Sequence, residues 1–326
     1  MRSLREVLAF ADALDPGEPA AVCTVVRVTG SAYGRPGARL ILTPDGRRAG
    51  YVSGGCLEKE LARRVWEATE AGPVTLAFDT RGNPQTPGGS YNAGCDGVIE
   101  VRCERLDAPG DPGGLHAARR AVETGEPIVW RAGEFSQTIE PPRPLTIFGA
   151  ADDARPLCEL AAVLGWAVMV VGKQPDLAAA ARFPDADRVL CRDPAAALGD
   201  LNLRPHAAAV VLTHDYAGDV RLLPKLLNSG VGYVGLLGPK RRAGRLMTDL
   251  HAAGTLPPPD RLAKLRTPVG LDIGARTPAE IAVAVVAEIV AHFRGRGGGF
   301  LSDRAAPIHD PAAEVEIPPD AATIAP

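Results

Sequence analysis

From Leu145 onward the chain alternates apolar runs with amphipathic stretches, and this alternation leaves few folds open. "LTIFGA", "WAVMVVG", "RVLC", "AAAVVLTHD" and "GVGYVGLLG" read as five strands, and "DARPLCELAAVLG", "KRRAGRLMTDLHAAG" and "TPAEIAVAVVAEIVAHF" read as helices. A strand buried on both faces shows an unbroken apolar run, because neither face meets water. Such strands need helices above and below, which predicts a parallel, Rossmann-like sheet. The ends are marked as well. Thr277 fits an N-cap, Pro278 the first helical position and Glu280 the third, together a capping box. Gly165 suits a left-handed stop after its helix.

The first half reads differently. Residues 1–15 carry Leu4, Val7, Leu8 and Leu14 on one helical face. A strand is predicted over Ala20 to Val28, and "LILTPDGRRAGYVSGG" predicts a hairpin turning at Pro-Asp-Gly. A helix over Glu58 to Ala71 follows, then strands in "PVTLAFDT" and "VIEVRCERL" with a long Gly- and Pro-rich loop between them. "DAPGDPGG" (107–114) reads as a linker or turn, ahead of a helix over His116–Thr124 and a strand over Pro127–Arg131. The fold class expected is α/β: a smaller N-terminal α+β domain (1–139), a Rossmann-like parallel-sheet domain (140–294) opening at "EPPRP", and a Gly/Pro-rich tail (295–326) that lacks periodicity.

Composition excludes some functions. The 326 residues carry a net charge of −3, which argues against nucleic acid or an anionic membrane as the main partner. The longest apolar stretch, Ala161 to Val171, falls short of the roughly 20 residues that span a bilayer. With no signal peptide in "MRSLREVLAFADALD", a cytoplasmic, reducing setting is expected. The six cysteines (Cys23, Cys56, Cys95, Cys103, Cys158 and Cys191) form no CxxC or zinc-finger spacing, so neither structural zinc nor a disulfide framework is expected.

Several stretches could carry chemistry. In "GYVSGGCLEKEL", Cys56 follows Gly54 and Gly55 at the mouth of a helix, where unsatisfied N–H groups favour a thiolate. Glu58 could pair with a ligand or serve as a first-turn acid, and Cys56 reads equally as a small buried residue. "NAGCDG" places Cys95 in a second Gly-rich loop, which reads as a hairpin turn with an incidental cysteine or, taken with Cys56, as a soft-metal or sulfur-handling site. Arg35 and Arg39, in and after "GSAYGRPGAR", could grip a phosphate, or could belong to a charged hairpin loop. Gly149-Ala150-Ala151-Asp152-Asp153-Ala154 stands where G-x-G-x-x-G/A belongs but lacks the middle glycine. The second strand ends in "VVGKQP", without an acid for a ribose 2′-OH, so NAD(P) is not expected. His214 could move a proton with Asp215 or Asp219 as partner, or be a structural His. Lys240, Arg241 and Arg242 open a helix after the fifth strand, which suits an anion or a solvated basic face.

As a set these segments resemble the XdhC/CoxI accessory proteins of xanthine dehydrogenase and related molybdenum hydroxylases. The N-terminal marks are "GSAYGRPGARL", "GYVSGGCLEKEL" and "AGCDGVIEV". The C-terminal marks include "RFPDADRV", "LTHDYAGD", "YVGLLGPKRR" and "PVGLDIGARTPAEIAVAVVAEIVA". The resemblance covers residues 1–293, in order. It implies a chaperone, more than an enzyme with its own turnover. Such a chaperone binds molybdenum cofactor (molybdopterin), has it sulfurated by a cysteine desulfurase and delivers it to the apo-hydroxylase, and a homodimer is expected. The residues expected to hold the cofactor are Ser31, Arg35, Gly54, Gly55, Cys56, Glu58, Cys95, Gly149, His214, Lys240 and Arg241, with Cys56 and Cys95 toward the metal. The chain departs from the family pattern at "GAADDA", at Gly172-Lys173-Gln174 and at Cys95-Asp96-Gly97. Two competing readings are an NAD(P)-dependent oxidoreductase using the Rossmann half and a thiol sulfur-transfer enzyme using Cys56.

Overall fold

The computed structural model describes residues 2–31, 33–80, 96–201 and 203–306, with backbone alone at 2, 3, 31, 56 and 96. Contacts divide the chain between Pro141 and Pro142, with the second unit running to Ala305.

The first unit contains α1 (Arg2–Asp12), β1 (Ala21–Ser31), β2 (Arg39–Leu42), β3 (Arg48–Gly50), α2 (Cys56–Ala68), β4 (Val74–Asp79), β5 (Asp96–Arg105), α3 (Leu115–Thr124), β6 (Ile128–Ala132) and β7 (Phe135–Ile139). Its sheet is antiparallel, in the order β3-β2-β1-β5-β4. The strands alternate their side chains between two cores. Leu57, Leu61 and Val65 of α2 pack with Val25, Leu40, Ile99 and Val101 on one face. Val7 and Leu8 of α1 and Ala118 and Ala121 of α3 pack with Ile41 and Trp130 on the other. Cys23 and Cys103 lie opposite each other in the β1–β5 register as buried free thiols.

Two features differ from the sequence expectation. The hairpin strand β7 was not predicted, and it pairs with β6 from Ile128↔Ile139 to Ala132↔Phe135. Residues 112–114, expected in a linker, form a buried 3₁₀ turn. Glu104 accepts from the Gly113 N–H at 2.9 Å, which ties this turn to β5.

The second unit contains β8 (Pro144–Phe148), α4 (Ala154–Val163), β9 (Ala167–Gly172), β10 (Arg188–Cys191), α5 (Pro194–Ala197), β11 (Ala208–Val211), α6 (Tyr216–Asn228), β12 (Tyr233–Leu236), α7 (Lys240–Ala252), α8 (Pro259–Leu262), β13 (Leu265–Arg266) and α9 (Pro278–Phe293). Its sheet is parallel throughout, in the order β10-β9-β8-β11-β12-β13. Helices α4 and α9 cover one face through Leu157, Ala161, Val285 and Ile289. Helices α6 and α7 cover the other through Leu222, Leu226, Leu246 and Leu250. Leu145 and Ile147 face the first cover and Phe148 the second, which is why the strand runs are apolar without a break. The capping box forms as expected: Thr277 Oγ1 accepts from the Glu280 N–H at 3.2 Å, and Glu280 Oε2 accepts from the Thr277 N–H at 2.9 Å. Helix α6 and the two-residue strand β13 were not predicted. Among the described residues no helix is long and apolar enough to cross a membrane.

Candidate functional site

In the first unit the glycine turn after β3 is built around Glu58. This residue is 4% exposed. One carboxylate oxygen accepts from the N–H groups of Val52 (3.0 Å) and Ser53 (2.7 Å), and the other from the Ser53 hydroxyl at 2.5 Å. Ser53 Oγ in turn accepts from the N–H groups of Gly55 (3.2 Å) and Leu57 (3.1 Å), covering the start of α2. Burial alone would raise the Glu58 pKa, but the hydrogen bonds from Ser53 and Val52 outweigh it and hold the carboxyl below its usual range. Of the two roles the sequence offers Glu58, the first-turn acid is the one these bonds describe, with both oxygens engaged in the turn. Gly55 takes φ 111°, a conformation that a side chain would strain. Both Gly54 and Gly55 are exposed and open.

Arg39 is also engaged within the fold. It is 3% exposed and donates to the carbonyls of Gly113 and Gly37 (2.6 Å) and to Gln137 Oε1 (2.8 Å). Its guanidinium lies 5.1 Å from the Trp130 ring centroid. Burial pulls its pKa down to about 10. It joins β2 to the 3₁₀ turn and the β6–β7 hairpin from a buried position. Arg35 is half-buried in the preceding loop. Beside it, Tyr33 and Tyr51 meet edge to face at 6.2 Å and are 67% and 46% exposed. Ser31 closes β1, where its backbone faces Asp96 of β5. Cys56 is the first residue of α2, and its side chain lies outside the described atoms. Cys95 lies outside the described residues.

The second unit carries a cavity of about 430 Å³ at the C-terminal edge of its parallel sheet. Its floor is the Gly149-Ala150-Ala151 turn after β8. Gly172, Lys173 and Gln174 after β9 form one side, and Thr213, His214 and Asp215 after β11 the other. Here the strand order reverses, which is where open α/β sheets hold ligands. Gly149 has φ 124°, and a Cβ on it would fall 2.3 Å from the Leu212 carbonyl oxygen, so only glycine lets β8 and β11 close at this point.

Asp193 and Asp215 line this cavity, Asp152 and Asp153 follow its floor turn, and each of the four has a cationic or imidazole partner. Lys173 Nζ donates to Asp215 Oδ2 at 2.5 Å, joining the segments that leave the strands on either side of β8. Asp215 also caps α6 by accepting from the Gly218 N–H at 3.0 Å. The Lys173 bond, with the Gly218 bond, holds the Asp215 carboxyl below its usual range. Asp152 pairs with Arg182 at 2.6 Å and Asp193 with Arg221 at 3.2 Å. His214 meets Asp153 at 2.8 Å, in place of the expected Asp215 or Asp219. Its backbone takes φ 55°, at a cost of about 1–2 kcal/mol. Asp219 is buried and bonded to Thr213 (2.5 Å) and Arg242 (2.9 Å).

The fold thus brings Gly149 and His214 to one cavity and leaves Lys240 and Arg241 off its lining. The reason is topological: β12 lies one strand beyond β11, so α7 begins outside the rim. Lys173 and Asp215 are the pair that patterning did not bring together. Their positions after two strands were visible, but the neighbourhood of those strands was not. Among the described residues no cluster of three or more His, Cys, Asp or Glu could hold a metal ion.

Comparison with known proteins bears on the whole chain. Residues 145–289 match the XdhC Rossmann domain, and residues 13–79 match the XdhC and CoxI family. A probable xanthine dehydrogenase subunit from Bacillus subtilis is 33% identical over 325 residues, covering 85% of this chain and 94% of its own. The molybdenum cofactor insertion chaperone PaoD of Escherichia coli is 26% identical, covering 87% of each chain. The crystal structure of a xanthine dehydrogenase from Bacillus halodurans superimposes with a TM-score of 0.76 at 27% identity, over 91% of this chain and 97% of that one. The chain belongs to the XdhC/CoxI family.

Proposed function

We propose that this protein is an accessory factor that binds molybdenum cofactor as cargo and delivers it to an apo-hydroxylase of the xanthine dehydrogenase type. The observation that carries this is the match to the cofactor insertion chaperone across 87% of both chains, with both halves of the family present in order. The cavity of the parallel sheet suits the organic part of such a cargo. It is about 430 Å³, within the range of small-molecule sites, and combines apolar walls with polar groups on two sides.

In the first unit, taken by itself, Cys56 is proposed as a thiol contact for molybdenum, because it opens α2 directly after two exposed glycines. Cys95, whose placement lies outside the described residues, is its proposed companion. Sulfuration by a cysteine desulfurase, a homodimeric state and a cytoplasmic setting belong to the same proposal.

Purification without oxygen, followed by release of bound pterin and molybdenum, tests the function. Pterin and molybdenum in comparable amounts support it. Their absence, together with tight NAD(H) binding, overturns it in favour of an oxidoreductase. Cys56→Ala is expected to fold normally and to lower activation of an apo-hydroxylase at least tenfold, measured as hydroxylase turnover after incubation with the loaded protein.

A further inference from the structure

The charges around the cavity point to a particular kind of ligand. Lys173 is the one Lys or Arg among its lining residues, and Asp193 and Asp215 line it as well. Asp152 and Asp153 stand just after the floor turn. A phosphate here would find Lys173 as the single lining lysine or arginine, and Arg182, Arg221 and His214 are already paired with Asp152, Asp193 and Asp153. A ribose diol could donate to Asp215 and accept from Lys173, but it has no flat face to lay against the small and apolar residues of the lining. The cavity therefore favours an uncharged group that offers an acceptor and donors side by side, so that both members of the Lys173–Asp215 pair stay bonded when it enters.

The pair is able to open. The Lys173 side chain is 50% exposed and the Asp215 side chain 27%, so solvent screens their attraction. The surfaces next to it are small or apolar: Ala150, Ala151, Leu177 and Pro194. Such walls suit a flat ring lying against them with its polar edge turned to the pair.

We infer that this cavity binds a 2-amino-4-oxopyrimidine ring, the edge shared by pterins and guanine, with the ring carbonyl accepting from Lys173 and the ring N–H and amino group donating to Asp215. A carboxylate can take these two parallel donors together, as it takes an Arg fork. An adenine or cytosine edge offers it a single donor group. The inference rests on the proposed function only for which source fills the site: a pterin if the cargo sits here, a guanine nucleotide if it does not.

Calorimetric titration of the full chain with pterin, guanosine, inosine and adenosine tests this. Inosine is guanosine without the 2-amino group, so it isolates the contact to Asp215. Guanosine is expected to bind at least tenfold tighter than inosine or adenosine. Asp215→Asn should abolish that preference while keeping the fold, because Asn also caps a helix. Asp193→Asn should retain the preference, and Lys173→Met should weaken pterin and guanosine alike. Tighter pterin than guanosine names the cargo as the source, and the reverse order names a guanine nucleotide. Equal binding of guanosine and inosine, or an unchanged preference in a folded Asp215→Asn protein, overturns the inference. A wild-type protein that lacks the guanosine preference yet activates its apo-hydroxylase sinks this inference and leaves the chaperone function standing. Pterin binding with the preference intact but no delivery does the opposite.

Discussion

The turn before α2 and the turn after β11 each carry an acid at the start of a helix, and the fold uses these two acids in opposite ways. Glu58 is 4% exposed, and backbone N–H groups and a hydroxyl occupy its oxygens. Asp215 is 27% exposed on its side chain and is held by a lysine that is itself half in water. The first acid builds the turn that contains it. The second lines a cavity with a partner it can exchange. An acid at a helix start thus becomes a candidate ligand group only where its partner is exchangeable.

Substitution sharpens this contrast, and the largest effect is expected where the charge is most deeply committed. Arg39→Ala should cost about 3–5 kcal/mol in urea unfolding of the protein, since it strips three acceptors and removes a buried positive charge that Asp111 and Glu104 stabilise. A loss below about 1 kcal/mol would mean that Arg39 is not the brace described.

Glu58→Ala follows, at about 2–3 kcal/mol, from the unpaired N–H groups of Val52 and Ser53. Thermal unfolding of the variant measures it. A loss as small as that of an exposed pair would remove the contrast between the two turns.

Acid titration separates the turns more finely. The Glu58 pKa is lower in the fold than in the open chain. Its contribution is therefore full above the ordinary Glu value of about 4.3 and is lost as pH falls through the lower folded value. Glu58→Gln should flatten that part of the stability–pH curve. Asp215 shifts in the same direction, so Asp215→Asn should flatten it as well, but by less, because solvent screens its partner.

The smallest effect on stability is expected from Lys173→Met, within about 1 kcal/mol. NADH fluorescence should stay unchanged on titration of the wild-type protein, since Lys173 stands where a ribose-binding acid would be and Ala151 where the middle glycine would be. A saturable micromolar signal would place a dinucleotide in the cavity after all.

Elements whose own residues carry the pattern were legible in the sequence. The strand runs of the second half, the capping box of α9 and the hairpin at Pro44-Asp45-Gly46 all form as local chemistry directs. Helix α6 was not read from the sequence, and Pro224 stands within it. Strand β13 is two residues long and exists by its pairing with β12. The 3₁₀ turn at residues 112–114 is buried by Val22 and Trp130, against which Gly113 and Gly114 pack, and these residues are distant in sequence.

By itself, then, the sequence determined a parallel sheet covered on both faces, a smaller α+β half before it, and the family to which the chain belongs. Periodicity, caps and contiguous motifs act over a few residues, so they can be read in order along the chain. The tertiary structure alone decided what each charged group does. Arg39 meets its acceptors 74 and 98 residues away, Lys173 meets Asp215 across 42, and His214 meets Asp153 across 61. A charge interacts with whatever lies within a few ångströms of it, and that neighbourhood exists only once the strands have been ordered into sheets.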